Sequence, residues 1–109
     1  MVYLGNAFSL QMLDINEFGT GVRINPIEED TVSFIIQTTP CESCIGHADT
    51  ARVVSNILGM EVPCHRKSIK LVQGDRLIVA QVVGGRLPEG TTVLPEGMGI
   101  VFYLVEIVN

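Results

Sequence analysis

The chain has 109 residues and a mass of 11.8 kDa, which suits one compact domain spanning residues 1–109. Hydrophobic residues make up 47% and charged residues 17%, a composition that excludes a disordered or low-complexity protein. The net charge of −5 argues against a coat for long nucleic acids, because such proteins need many basic contacts to phosphate. No apolar run reaches the about 20 residues of a membrane span, and the N-terminus lacks secretory-signal features. We therefore expect a cytoplasmic protein without a membrane partner.

The basic side chains are unevenly distributed along the chain. Six of the seven lie between residues 52 and 86, together with only two acidic side chains. A local positive excess in an acidic chain favours a small anionic ligand over a long polyanion. Ordinary solvated surface charges explain the same distribution equally well.

The N-terminal half of the chain predicts two strands and two helices. Short strands are expected at residues 2–4 and 19–24. Asn25-Pro26 followed by acidic residues is typical of a helix start, so we expect a short helix over 27–36. The alternating β-branched residues of that segment also fit a strand. Apolar residues at helical spacing predict a helix over Ala48–Leu58, ended by Gly59.

Three strands are predicted in the C-terminal half. Residues 66–72 alternate between polar and apolar side chains. Residues 76–83 and 99–108 are nearly continuous apolar runs, as in strands covered on both faces. The sequence thus predicts a single α/β (mixed α+β) domain, with a central mixed sheet of about five strands flanked by helices.

His47 is the first candidate for chemistry, since it lies where a loop enters the helix predicted at 48–58. Free backbone amides and the positive end of a helix favour an anion beside them. An imidazole at this point can give a proton to, or take one from, a bound phosphate ester. The residues whose backbone surrounds such an anion are Gly46, Ala48, Asp49 and Thr50. A histidine that only caps the helix, or lies on the surface, is the alternative interpretation.

Arginine and polar loop residues form a second group of candidates. Arg66 begins a predicted strand, and Arg86 follows another within the glycine-rich segment 84–90. Guanidinium groups held in tight loops bind phosphate well, although such glycines also serve simply to shape turns. Ser9 and Gln11 follow the first strand, a position where hydroxyl and amide groups often contact ligands.

A third pattern consists of cysteines and histidines. Its members are Cys41, Cys44, His47, Cys64 and His65. Such a set can build a tetrahedral zinc site. However, the chain has one Cys-x-x-Cys pair, and two of the other ligands are adjacent, which favours three reduced thiols. We expect no metal and no cofactor, and a zinc-dependent interaction module is an alternative function.

Four short motifs occur in order: YLGNAFSL at 3–10, IGHxxT at 45–50, Arg66 followed by Ile69-Lys70, and RLPEG at 86–90. With these motifs, nearly the whole chain resembles the viral anti-CRISPR ring nucleases, first known as small proteins of archaeal viruses. The resemblance implies a homodimer that binds cyclic tetra-adenylate, the second messenger of type III CRISPR systems. It also implies metal-independent cleavage of that ring into linear di-adenylates in the host cytoplasm.

The resemblance assigns roles to individual residues. His47 falls on the family's catalytic histidine, and Glu89 falls on an acidic residue that we count with it as catalytic. Arg66 and Arg86 fall on phosphate-binding arginines, and Ser9 falls on a loop serine after the first strand. These expectations join the candidates inferred from the residues themselves.

A mechanism follows from the chemistry of RNA. The 2′-OH beside each phosphate is a built-in nucleophile, so in-line positioning replaces the activation of water. The arginines and the helix amides would offset the developing charge, and His47 would protonate the 5′-oxygen. The first product would then carry a 2′,3′-cyclic phosphate. A rival hypothesis is a sensor that binds a cyclic nucleotide without cleaving it.

Overall fold

Five strands form one mixed sheet in a computed structural model of the chain, which describes residues 1–14 and 21–108. The strands are β1 (Val2–Gly5), β2 (Val22–Ile27), β3 (Cys41–Ser43), β4 (Arg76–Val83) and β5 (Gly99–Ile107). Their order is β2-β5-β4-β1-β3. β1 runs parallel to β3 and β4, whereas β5 runs antiparallel to β2 and β4. With the helices α1 (Glu29–Thr38) and α2 (Ala48–Leu58), this α+β fold confirms the predicted mixed sheet.

Apolar side chains form a core on each face of the sheet. On one face both helices pack against the strands, and Val32, Val54 and Ile78 are fully buried there. On the other face, apolar residues from segments 8–13 and 69–71 cover side chains of β4 and β5. Because both faces of β4 are covered along its first half, its sequence is apolar at successive positions.

Several elements lie where the sequence predicts them. Helix α2 and strand β4 have the predicted bounds, and Gly59 ends α2 in the left-handed conformation at φ 69°, which glycine adopts without steric cost. β1 and β5 match their predicted strands to within one residue at an end. Residues 19 and 20 of the predicted second strand lie outside the described residues, and β2 extends beyond the predicted end to Ile27.

The predicted helix over 27–36 is confirmed as a helix, but its predicted start is wrong. Asn25 and Pro26 belong to β2 and pair with Leu104 and Tyr103 of β5. β2 is an edge strand, the position in a sheet where proline, which lacks an N–H, is tolerated. Glu28 takes the N-cap position instead. Among the described helices, none is long and apolar enough to cross a bilayer.

The strand predicted over 66–72 is wrong, because only Leu71 makes a bridge, to Leu13. Lys67 of this segment pairs with Glu42 of β3, but the segment joins no strand of the described sheet. Its alternating pattern still sorts the side chains, since Ile69 and Leu71 are buried, whereas the polar residues and the terminal Val72 are exposed. The strand that completes the sheet of five is β3, which the sequence does not predict because it is short and lacks an apolar pattern.

The carboxyl ends of the three parallel strands lie at one edge of the sheet. β1 leads from this edge into residues 6–9, β3 into residues 44–47 and α2, and β4 into the loop of residues 84–98. Open sheets bind ligands at the carboxyl ends of parallel strands. This edge is therefore where a ligand-binding site is expected.

Candidate functional site

His47 lies between the two candidate arginines at the sheet edge. A cleft of about 350 Å³ is lined by His47, Arg86, Asn6 and Gln81. A second cleft of about 360 Å³ is lined by Arg66 and again by Asn6 and His47. Because these two residues stand in the wall of both clefts, a ligand that occupies both meets the imidazole with a guanidinium on each side.

His47 occupies the N-cap position of α2. Its Nδ1 accepts a hydrogen bond from the backbone amide of Thr50 at 3.4 Å and lies equally far from the Thr50 hydroxyl. With Nδ1 accepting, the proton of the neutral ring is on Nε2. The histidine is exposed, so Nε2 can donate to a ligand while Nδ1 caps the helix. The neutral ring can therefore cap the helix and donate a hydrogen bond to a ligand, whereas delivery of a proton requires the imidazolium, in which Nδ1 no longer accepts.

Two of the four predicted backbone contacts at the start of α2 are used within the protein. The amide of Thr50 is capped by the imidazole, and the amide of Gly46 donates to the Asn6 Oδ1 at 3.2 Å. The amides of Ala48 and Asp49 lie in the first turn, where a helix offers them no internal acceptor. These two amides are therefore the ones suited to an anion.

Arg66 reaches the site although it does not belong to a strand. The backbone amide of the preceding residue, His65, donates to the Ile45 carbonyl at 2.8 Å. A Cβ added at Gly46 would lie 3.1 Å from the Arg66 Cγ, tighter than most such contacts. The missing side chain at Gly46 thus lets the stem of Arg66 approach the loop that carries His47.

The two acidic site residues are placed differently from the arginines. Asp49 is 8% exposed, and its carboxylate pairs with Arg52 and accepts from the backbone amide of Gly90. A buried charge requires such partners, so only the backbone of Asp49 is available to a ligand. Glu89 is exposed and is not among the residues that line the clefts.

Ser9 and Gln11 line a third cleft of about 410 Å³ together with Lys67 and Lys70. The Ser9 hydroxyl accepts a hydrogen bond from the backbone amide of Gln11 at 3.2 Å and caps a short 3₁₀ helix, Leu10–Met12. Lys67 also lines the Arg66 cleft, so the third cleft adjoins that one. The predicted polar contacts therefore lie beside the His47 clefts rather than in them.

Asn6 and Gln81 are site residues that no sequence-based prediction named. Asn6 is the first residue after β1, and a polar residue at a strand end is a sequence signal for ligand contact. The same signal points to Ser9 and Gln11, which lie farther from the strand end. Gln81 interrupts the apolar run of β4, and a lone polar residue in such a run is a second indication.

The predicted cysteine and histidine set is not assembled. Cys41 packs against the core beneath the helices, Cys44 belongs to the core on the opposite face, and Cys64 is exposed. Within residues 1–14 and 21–108, no three His, Cys, Asp or Glu side chains come together as metal ligands. The structure thus gives the zinc-dependent alternative no support in this part of the chain.

Thiol reactivity should separate the cysteines. Burial raises the pKa of Cys41 to about 11 and also raises the pKa of Cys44. Because the thiolate is the reactive form, we expect an aromatic disulfide reagent at about pH 8 to label Cys64 rapidly in the native protein. Cys41 and Cys44 should react only after denaturation. Rapid labelling of every thiol in the native state would contradict this placement.

The raised pKa of Cys41 also predicts a pH dependence of stability. The unfolded thiol ionises near its ordinary value of 9.0, before the folded thiol does. The unfolded state therefore binds fewer protons in this window, and the free energy of unfolding should fall as the pH rises from about 9 towards 11. Urea unfolding of wild type and Cys41→Ser across this range measures the effect. An equal fall in both proteins would show that other groups cause it.

Comparison with known proteins gives relatives over the full length. A sequence model of the STIV B116-like family matches residues 2–103. The chain is 29% identical over 113 aligned residues to Uncharacterized protein 26 of Sulfolobus islandicus filamentous virus (isolate Iceland/Hveragerdi), covering 100% of this chain and 93% of that protein. The solved structure of B116 of Sulfolobus turreted icosahedral virus superimposes with a TM-score of 0.77 at 27% identity. That match covers 96% of this chain and 97% of B116.

Proposed function

This chain belongs to the STIV B116-like family of small viral proteins, and we propose that it is a metal-independent ring nuclease for cyclic tetra-adenylate. The observation that carries the proposal is His47 at a helix N-terminus, in the wall shared by the Arg86 and Arg66 clefts. A proton donor flanked by cations supplies what cleavage of an RNA phosphodiester requires. Cleavage to linear di-adenylates would switch off type III CRISPR signalling.

The scissile phosphate would bind at the N-terminus of α2. The first-turn amides of Ala48 and Asp49 point an electropositive helix end towards it. Arg66 and Arg86 would donate to the phosphoryl oxygens from opposite sides, and charge-assisted bonds of this kind strengthen as negative charge develops. Asn6 uses its Oδ1 for Gly46, so its NH₂ group remains to donate.

The ring supplies its own nucleophile. The 2′-oxygen next to the bound phosphate attacks phosphorus, the P–O5′ bond breaks, and a 2′,3′-cyclic phosphate forms. The imidazolium form of His47, in which Nδ1 is also protonated and no longer accepts from Thr50, gives its Nε2 proton to the departing 5′-oxygen and becomes neutral. The proton of the 2′-OH passes to solvent. Since arginines offset the charge and no water is activated, no step calls for a divalent ion.

The opposite face of the sheet supports a homodimer as the active form. Among the described residues, segments 8–13 and 69–71 cover only part of this face. Strand alternation places the remaining side chains together as an open sheet face, made of Ile24, Pro26, Gln81, Val83, Val101 and Tyr103. In a twofold contact a patch packs against its own copy, so charged groups in the patch would face like charges. This patch has no carboxylates or cationic groups, although the chain has a net charge of −5, and it can therefore pack against its copy without such repulsion. Gln81 connects this face with the Arg86 cleft.

Light scattering should report about twice the chain mass of 11.8 kDa. Ile24 is 52% exposed, so Ile24→Glu should leave the fold intact but place two like charges across the contact, which costs several kcal/mol. We expect this variant to be a monomer. Phe34→Glu is the matched control, because Phe34 is 66% exposed on α1, away from the open sheet face, and it should stay dimeric. A wild-type monomer, or a dimeric Ile24→Glu, would contradict the proposed interface.

The capping role of His47 favours a second candidate, a sensor that binds the ring without cleaving it. A histidine that stabilises α2 has a structural use even where no proton is transferred. Incubation with labelled cyclic tetra-adenylate, followed by chromatography of the bound fraction, separates the two functions. A nuclease releases linear products, whereas a sensor returns the intact ring.

A further inference from the structure

We propose that Asp49 is a positioning residue that holds the Arg86 loop, residues 84–90, against the helix that carries His47. The inference rests on the proposed function, because it assigns Arg86 to a ligand phosphate. Its basis is a contact between residues 41 positions apart, in which the Gly90 backbone amide donates to the Asp49 Oδ2 at 3.3 Å.

The loop is fixed at both ends. At its start, a Cβ added at Gly84 would lie 2.5 Å from the Gly97 carbonyl oxygen, and Gly84 has φ +92°. Only glycine permits this approach and this conformation. At its end, Gly90 is bound to Asp49. Arg86 lies between the two fixed ends, so its backbone is confined although its side chain is exposed.

The state of the Asp49 carboxylate agrees with a role towards the loop rather than the ligand. Its side chain is 11% exposed, and its Oδ1 pairs with Arg52. The guanidinium and the first turn of α2 both stabilise the negative charge. Asp49 is not among the residues lining the His47 clefts. Its carboxylate instead binds the loop through Gly90 and Arg52 through the ion pair. Of the substrate contacts expected for Asp49, only the one made by its backbone amide is therefore retained.

A second tether lies on the same face of α2. The side-chain amide of Asn56 donates to the Thr92 carbonyl, and a helical residue seven positions after Asp49 shares its face. Between the tethers, the Thr91 amide donates to the Pro88 carbonyl at 3.1 Å and closes a turn. The chain is therefore attached to α2 at Gly90 and at Thr92, and the attachment nearer to His47 is the one made by Asp49.

Three variants test the tether. Asp49→Ala removes the acceptor for Gly90, Asp49→Asn keeps an oxygen acceptor without the charge, and Arg52→Ala keeps the Asp49–Gly90 bond. Amide hydrogen exchange over residues 84–92 should become faster in Asp49→Ala and stay close to wild type in the other two. The Kd for cyclic tetra-adenylate should rise about 2- to 30-fold in Asp49→Ala only, the range of coupling through a network. That rise should disappear in an Arg86→Ala background.

The exchange and binding measurements test the tether and the positioning of Arg86 separately. Unchanged exchange in Asp49→Ala overturns the tether, with or without a ligand. Faster exchange with an unchanged Kd, or an equal loss of affinity in the Arg86→Ala background, overturns the positioning of Arg86. If wild type does not bind the ring, the proposed function and the ligand role of Arg86 both fail, and the exchange comparison still decides whether Asp49 holds the loop.

Discussion

His47→Asn is expected to lose most cleavage of cyclic tetra-adenylate while keeping both the helix and the affinity close to wild type. Asparagine is a favourable N-cap residue, so the Thr50 amide, which now donates to Nδ1, keeps an acceptor. A carboxamide cannot deliver a proton to the leaving oxygen. Because a positioned acid contributes about 10²–10⁴-fold, the single-turnover rate should fall by that factor.

His47→Ala separates the two roles of the residue. It removes both the proton donor and the cap, so the rate should fall as in His47→Asn, and the free energy of unfolding should fall by about 0.5–2 kcal/mol, measured in urea. Wild-type cleavage by His47→Asn would refute His47 as the acid. An active Asn variant beside an inactive Ala variant would mean that cleavage needs the cap alone.

Arg66→Ala and Arg86→Ala should each weaken binding of the ring far more than loss of an ordinary surface charge. A hydrogen bond to a charged group contributes about 1.5–3 kcal/mol, so each Kd should rise about 10- to 150-fold. Titration calorimetry with the cleavage-deficient His47→Asn background measures this without turnover. Arg→Lys at either position keeps the charge but loses the planar fork, so its affinity should lie in between.

Arg23→Ala is the matched control for the two arginines. Arg23 is also exposed, but it lies on the edge strand β2, opposite Glu106 of β5, and does not line the clefts. Its removal should leave the Kd unchanged. If Arg66→Ala and Arg86→Ala also bind as tightly as wild type, the phosphate site lies elsewhere on the molecule.

The elements that were predictable are those whose sequence pattern is sufficient by itself. α2 has an apolar stripe and a terminal glycine, and β4 has an apolar run, so neither depends on a distant partner. The errors arise where a partner decides. Asn25-Pro26 is typical of a helix start but pairs with β5, and segment 66–72 alternates like a strand but forms no ladder.

The sequence names the histidine and the two arginines of the candidate site but not the contacts that hold them in place. His47 and both arginines follow from motifs and from the helix start, and the structure places them along two clefts that share a wall. The contacts that position them join residues distant in sequence, such as Asn6 with Gly46 and Asp49 with Gly90. No local pattern encodes these pairings, because they depend on the order of the strands.

Single-turnover incubation of the purified protein with labelled cyclic tetra-adenylate in excess EDTA tests the central claim most directly, with the ends of the products identified. We predict linear di-adenylates that first carry a 2′,3′-cyclic phosphate, since the 2′-OH is the nucleophile, formed at the same rate with and without EDTA. An intact ring, or cleavage only when a divalent ion is restored, would contradict the account.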